Sequence, residues 1–160
     1  MLLLQAGGVL DVDWSSVEKS AQQKSSKAYP KVLLEGIKEV RLPVYLSTSF
    51  IENKSMVVVA DKGFYSISFS LNGATLLFEG DRTYQESVSP QNPEFQKMVQ
   101  KAAALEISES EGIMVAEFKR HGANYAISIE CENPKTDKRC TQEEFIRNLY
   151  GRLKMVGGHP

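Results

Sequence analysis

The chain has 160 residues, 42% of them hydrophobic and 24% charged, with 19 Lys and Arg against 20 Asp and Glu. A length of this order supports one folding unit that buries roughly two-thirds of the surface its extended form exposes. The balanced, interspersed charge excludes a broad basic field that would gather phosphates, and no stretch reaches the ~20 apolar residues of a membrane span. The expectation is one soluble domain over 1–160, with no nucleic acid as partner and no transmembrane segment.

Residues 1–12 combine an apolar run with small residues but lack a basic leading region. They read as a signal remnant, a flexible arm or a buried N-terminal strand. From Asp13 the pattern changes. A short polar cap precedes Trp14, Val17 and Ala21, which share one helical face, so a helix is expected over about 14–26, ending before Pro30.

Between 31 and 50 the apolar clusters Val32-Leu33-Leu34 and Val44-Tyr45-Leu46 are separated by Gly36 and Pro43, which suits short extended pieces and a strand near 43–47. Residues 56–60 are apolar and mostly β-branched. Asp61-Lys62-Gly63 punctuates them, and residues 64–71 then alternate strictly, with Tyr65, Ile67, Phe69 and Leu71 to one side and Ser66, Ser68 and Ser70 to the other. Asn72-Gly73 is a strong hairpin signal, and residues 74–79 complete a three-stranded meander.

Residues 85–94 have the chemistry of a surface loop, and Pro93 can open a short helix to about Ala104 along Phe95, Met98, Val99 and Ala102. A second hairpin follows, with strands over 113–118 and 124–131 around a turn at 119–122. Its Tyr125, Ile127 and Ser128 match Tyr65, Ile67 and Ser68 at an offset of 60 residues, a likeness that two strands of the same inward chemistry reach by chance and that a duplication would also produce. At 141–144 Thr-Gln-Glu-Glu forms a capping-box pattern. A C-terminal helix is expected from there, with Phe145 or Ile146, Leu149 and Leu153 inward, basic residues in its second half and Gly157-Gly158 at its end. The fold class is thus α+β, a largely antiparallel sheet of two hairpins or a meander, packed by an N-terminal and a C-terminal helix.

Cys131 and Cys140 flank a polar, Pro-containing loop between a strand and a helix. A disulfide there is expected to contribute about 2–3 kcal/mol by restricting the unfolded chain. It would also imply an oxidising compartment, periplasmic or secreted, whereas two free thiols would fit the cytoplasm. The nine-residue separation lacks the short turn of zinc knuckles, and His121 and His159 are the only imidazoles, so no metal is expected. Neither glycine pair near the termini has phosphate-binding spacing, and no cofactor is expected.

His121 stands at a turn beside Arg120 without a recognisable nucleophile motif, so no catalytic residue is assigned. A surface made of Ser66, Ser68, Ser70, Arg82, Tyr84, Arg120, His121 and Tyr125 is a candidate for binding, with another protein as the partner. These features favour a small exported accessory or binding domain that is not an enzyme. Two alternatives stand beside it: a hydrolase or thiol enzyme using His121 with Cys140, whose thiol a helix N-terminus would activate, and an immunity-like or inhibitor protein that blocks a toxin or enzyme.

Overall fold

Strict alternation of apolar and small polar residues decides the centre of the structure, because it gives a pleated strand one face for a core and one for solvent. The computed structural model describes residues 6–9, 11–20, 29–86 and 104–160. In chain order these form β1 (Ala6–Val9), α1 (Trp14–Ser20), α2 (Lys31–Gly36), β2 (Val44–Ser47), a 3-10 turn (Thr48–Phe50), β3 (Val57–Asp61), β4 (Phe64–Leu71), β5 (Ala74–Asp81) and β6 (Thr83–Glu86). There follow β7 (Glu106–Ser110), β8 (Ile113–Arg120), β9 (Ala123–Cys131), α3 (Lys138–Thr141), α4 (Glu144–Gly151) and β10 (Leu153–Gly157).

Six strands build one antiparallel sheet in the order β3-β4-β5-β9-β8-β7. It consists of two three-stranded meanders joined through β5 and β9. The expected first meander is present, and the second hairpin gains β7 as an outer strand. Two small antiparallel ladders complete the fold, β1 with β6 and β2 with β10. The architecture is the α+β class expected.

The inward residues of the large sheet are Tyr65, Ile67, Phe69, Leu76, Phe78, Met114, Ala116, Phe118, Tyr125, Ile127 and Ile129, all buried. They pack against Leu33 and Ile37 around α2, Val44 and Leu46 of β2, and Ile146 and Leu149 of α4, while Val17 of α1 is buried outside this cluster. At ~25 cal/mol per Å² of apolar surface removed from water, this single layer of contacts dominates the stability. α2, α3, α4 and the β2–β10 ladder supply side chains to this one core, whereas Ser66, Ser68, Leu77, Ser128 and Val115 face the opposite side.

The two meanders are equivalent. Their strands begin 49 residues apart in each case, at 57 and 106, 64 and 113, 74 and 123. The cross-strand pair Phe78 and Ile127, itself 49 residues apart, lies on the pseudo-twofold axis between them. Gly63, Phe69, Gly73 and Ala74 recur as Gly112, Phe118, Gly122 and Ala123. The offset of 60 seen in the sequence is therefore corrected: it compares β4 with β9, which do not occupy equivalent places, and reflects inward chemistry shared by neighbouring strands.

Four further expectations are corrected. Residues 31–36 are helical instead of extended, because Leu33 and Ile37 lie one helical turn apart and both are buried, and the Pro30 carbonyl accepts from the Leu33 and Leu34 N–H groups. Residues 106–110 form an edge strand although only Ile107 and Leu105 nearby carry an apolar signal. Residues 85 and 86, expected to open the loop, instead end β6 (Thr83–Glu86). The remainder of that loop, the helix to about 104 and the far end of the 14–26 helix fall outside the described residues.

At the C-terminus the capping box does not form. Asp137 caps α3 by accepting the Arg139 N–H at 3.0 Å, Thr141 ends that short helix, and α4 stops at Gly151. Residues 153–157 then turn into β10 beside β2, with the Thr48 N–H donating to the Arg152 carbonyl at 3.0 Å. Leu153 fits an apolar stripe in either conformation, and β2 supplies a ladder that a helix would have left unpaired.

Candidate functional site

Five aromatic side chains, Tyr45, Tyr65, Phe118, Tyr125 and Tyr150, and one histidine are gathered where β2 crosses the end of the two central hairpins. Gly80 faces Tyr65 on one neighbouring strand and Tyr125 on the other. The missing Cβ leaves room for both rings: one built on Gly80 would overlap the Tyr65 ring and lie 3.0 Å from the Tyr125 ring edge. Both tyrosines reach β2 through their hydroxyls. Tyr125 donates to the Pro43 carbonyl at 2.7 Å, and the Tyr45 N–H donates to the Tyr65 hydroxyl at 3.0 Å. Burial raises both phenols far above the ordinary tyrosine range, so they are held neutral.

The β8–β9 turn places His121 at φ 53° and Gly122 at φ 84°. Two consecutive left-handed residues give the tight hairpin its twist, and Gly122 is needed because a side chain there would meet the Asp11 carbonyl. The His121 ring is wedged between elements. Nδ1 lies 2.9 Å from the Ser16 hydroxyl of α1, Nε2 lies 3.0 Å from the Tyr45 hydroxyl of β2, and the His121 carbonyl accepts the Asp13 N–H at 2.9 Å. Asp13 in turn accepts from the Ser15 hydroxyl and the Ser16 N–H, which starts α1. Arg120 lies over Tyr45 at 4.8 Å, with Phe118 at 5.2 Å and Tyr150 at 5.5 Å from the guanidinium carbon.

A Ser-His contact invites a catalytic reading, but the geometry here is that of a tether. Both ring nitrogens are engaged, the second by a phenol whose pKa burial raises despite Arg120, so no carboxylate orients the ring as a general base. The His121 pKa is lowered, first by burial and then by Arg120, with Asp13 opposing. The unfolded chain therefore takes up a proton before the fold does. The stability tied to neutral His121 is complete above the ordinary value of 6.5 and falls as pH drops through it toward the lower folded value. His121→Asn, which tolerates the left-handed turn, is expected to flatten the pH dependence of urea unfolding between about pH 7 and about pH 5. Parallel profiles for the two proteins would overturn this.

Cys131 and Cys140 form a disulfide, with sulfurs 1.99 Å apart, that joins the end of β9 to α3. Arg139 and Asp137 brace the same corner. Their side chains are paired at 2.6 Å, and Arg139 donates to the Asn72 carbonyl at 2.7 Å. Hydrogen bonds from Arg139 hold the Asp137 carboxyl below the usual range. His121 lies at the opposite end of β9, whose nine residues span roughly 30 Å. The structure therefore does not bring His121 and Cys140 together, and the thiol is consumed in the bridge.

The proposed binding surface also divides. Ser66, Ser68 and Ser70 lie on the face of the sheet opposite the described core, as their alternation required. Tyr125 is 4% exposed and points into the core, and Arg120 and His121 belong to the tether on that same side. Arg82 donates to the Arg41 carbonyl at 3.0 Å, and the side chain of Tyr84 is outside the described set. What the sequence reading missed is the company of the serines. Cross-strand register sets Val57, Ser68, Leu77, Ser128, Val115 and Ser108 in one row across the sheet, beside a row that carries Glu79, Glu117 and Glu106. At the acidic end lies an open hollow of about 270 Å³ lined by Glu79, Asp81, Glu106, Glu117, Lys119 and Asn124. Partial burial, then the neighbouring Asp81, raises the Glu79 pKa. Among the described residues no group of His, Cys, Asp and Glu is arranged to hold a metal ion, and no helix is long and apolar enough to cross a membrane.

No protein family, curated protein or solved structure matches the chain.

Proposed function

We propose that this chain is a small exported binding domain, not an enzyme, that receives another protein on the face of its six-stranded sheet opposite the described core. The observation that carries the reading is the division of labour between the two faces. One face takes the whole described core, while the other offers a row of small and aliphatic side chains bordered by glutamates. A flat face of short serines and valines costs little side-chain entropy to cover, and a bordering acidic row favours a basic partner surface. An inhibitor or immunity-like protein that masks a basic toxin or enzyme is one form of this reading. The disulfide supports an oxidising compartment, periplasmic or secreted.

A photo-reactive residue at Ser68 or at Ser128, introduced in the native host, is expected to capture the same polypeptide from both positions and none from Glu144 on the covered side. Glu117→Lys is expected to slow formation of that complex about tenfold. No adduct from either serine position, or two free thiols by alkylation and intact mass in protein from the native host, would remove the proposal.

A further inference from the structure

Asn72 is the only asparagine in the chain that is followed by glycine. The pair forms the two-residue turn between β4 and β5, with Leu71 opposite Ala74, and Asn72 is exposed. At the equivalent turn of the second meander both residues are left-handed, His121 at φ 53° and Gly122 at φ 84°, as a tight hairpin prefers. Here Gly73 alone is left-handed, at φ 75°, and Asn72 is not held in that region. Among the described residues no hydrogen bond engages the Asn72 side-chain amide, and the Gly73 N–H donates to none. The carbonyls of the turn are fixed. That of Gly73 accepts the Glu132 N–H at 2.9 Å, and that of Asn72 accepts from the Arg139 guanidinium at 2.7 Å. Asp137 orients the guanidinium through a pair at 2.6 Å, and a Cβ built on Gly73 would lie 3.5 Å from the same Arg139 nitrogen.

We infer that Asn72 is a site of spontaneous deamidation and that Arg139 promotes it. The Asn72 carbonyl and the Gly73 nitrogen belong to one peptide group. A charge-assisted hydrogen bond to that oxygen stabilises the anion left when the nitrogen gives its proton to hydroxide, because nitrogen and oxygen share the negative charge. The Gly73 nitrogen then attacks the Asn72 side-chain carbonyl carbon, an approach that the absent Cβ of glycine leaves open. A new C–N bond closes a cyclic imide, the bond to the side-chain nitrogen breaks, and ammonia leaves with a proton from water. Water opens the imide at either carbonyl and gives aspartate or isoaspartate at position 72. The balance takes up water and releases ammonia, with nothing oxidised or reduced. Isoaspartate carries an extra main-chain methylene in a turn of two residues, so it shifts the Leu71–Ala74 closure and the Arg139 contact beside the Cys131–Cys140 bridge. Neither this chemistry nor its test depends on what binds the sheet.

Peptide mapping of the full oxidised chain, aged at mildly alkaline pH beside the same chain reduced and unfolded in urea, is the experiment. The tryptic peptide of residues 63–82 is expected to gain about 1 Da in the folded protein, divided between an aspartyl and an isoaspartyl form, at a rate no lower than in urea. Asn72→Gln, whose longer side chain closes a ring far more slowly, is expected to remove both forms. Arg139→Gln is expected to lower the folded-state rate about fivefold and to leave the rate in urea unchanged, whereas Arg139→Lys, which keeps a cation at the carbonyl, retains most of it. Circular dichroism of each Arg139 variant checks that the fold is kept. A folded chain intact at Asn72 while the unfolded chain is converted overturns the inference. A folded-state rate that Arg139→Gln leaves unchanged or raises overturns the part given to Arg139.

Discussion

Gly80→Ala is expected to destabilise the fold by about 2–4 kcal/mol, far more than a Gly-to-Ala change in an ordinary strand. The new methyl would be forced into the Tyr65 ring and against the Tyr125 ring edge, which stand on either side of this glycine. Overpacking of this kind costs about 1–3 kcal/mol, and the rings cannot shift without losing buried hydrogen bonds worth about 1–3 kcal/mol when left unmade. Those bonds are the Tyr125 hydroxyl to Pro43 and the Tyr45 N–H to Tyr65. The entropy that alanine removes from the unfolded chain returns only about 0.4–1 kcal/mol. Since 1 kcal/mol moves the melting temperature of a domain this size by about 2–4 °C, a fall of about 4–16 °C is expected by calorimetry. A variant within a degree of the parent would show that the two tyrosines are not wedged as described. Removing the wedge supplies a second arm: with Tyr65→Leu in place, Gly80→Ala is expected to cost much less.

Breaking the Cys131–Cys140 bridge is the other large effect. The sequence separation is 9, and a loop of that size restricts the unfolded chain by about 2–3 kcal/mol on the chain-entropy account. The double variant Cys131→Ala, Cys140→Ala is expected to lose that amount in urea unfolding, with a fall of about 4–12 °C in melting temperature. Both sulfurs sit in the core, at 6% and 2% exposure, so the bridge also packs α3 against the end of β9. Loss of α3 on reduction should not reach the Ser16–His121–Tyr45 tether, which lies at the far end of β9. Hydrogen exchange at the Asp13 amide, bonded to the His121 carbonyl, is expected to remain slow in the reduced protein. Fast exchange there would mean that the two ends of the sheet open together.

Local patterns made the first meander readable. Alternation through Tyr65, Ile67 and Phe69 and the Asn72-Gly73 turn each act over a few residues, and in the structure only Gly73 of that pair needs a positive φ, at 75°. The C-terminal ten residues could not be read in this way. Phe145, Leu149 and Leu153 have helical spacing, yet Leu153 pairs with Ser47, more than a hundred residues earlier, and no local rule contains that partner. β7 escaped for a related reason: an edge strand that faces solvent with glutamate and serine carries little hydrophobic signal. At the candidate site the alternation placed Ser66, Ser68 and Ser70 on the face opposite the core, but not the Val115 and Ser128 that share it. His121 was visible as a turn residue, whereas its contacts Ser16 and Tyr45, 105 and 76 residues away, depend on α1 and β2 being folded back against the turn.

The ladder between β2 and β10 sets an order on events as the chain is made. Both meanders are closed by turns of two residues, so each can assemble as soon as its own strands are available, in the microsecond range typical of hairpins. β2 must wait. Its partner lies at 153–157, so until that segment has been made the Val44–Ser47 segment, buried throughout in the folded structure, has no strand to pair with. Between completion of β9 and of β10 the chain therefore carries two formed meanders and an unmatched apolar strand, a species that a strand-binding chaperone would recognise. Truncation before Leu153 should accordingly trap the protein as an aggregation-prone intermediate.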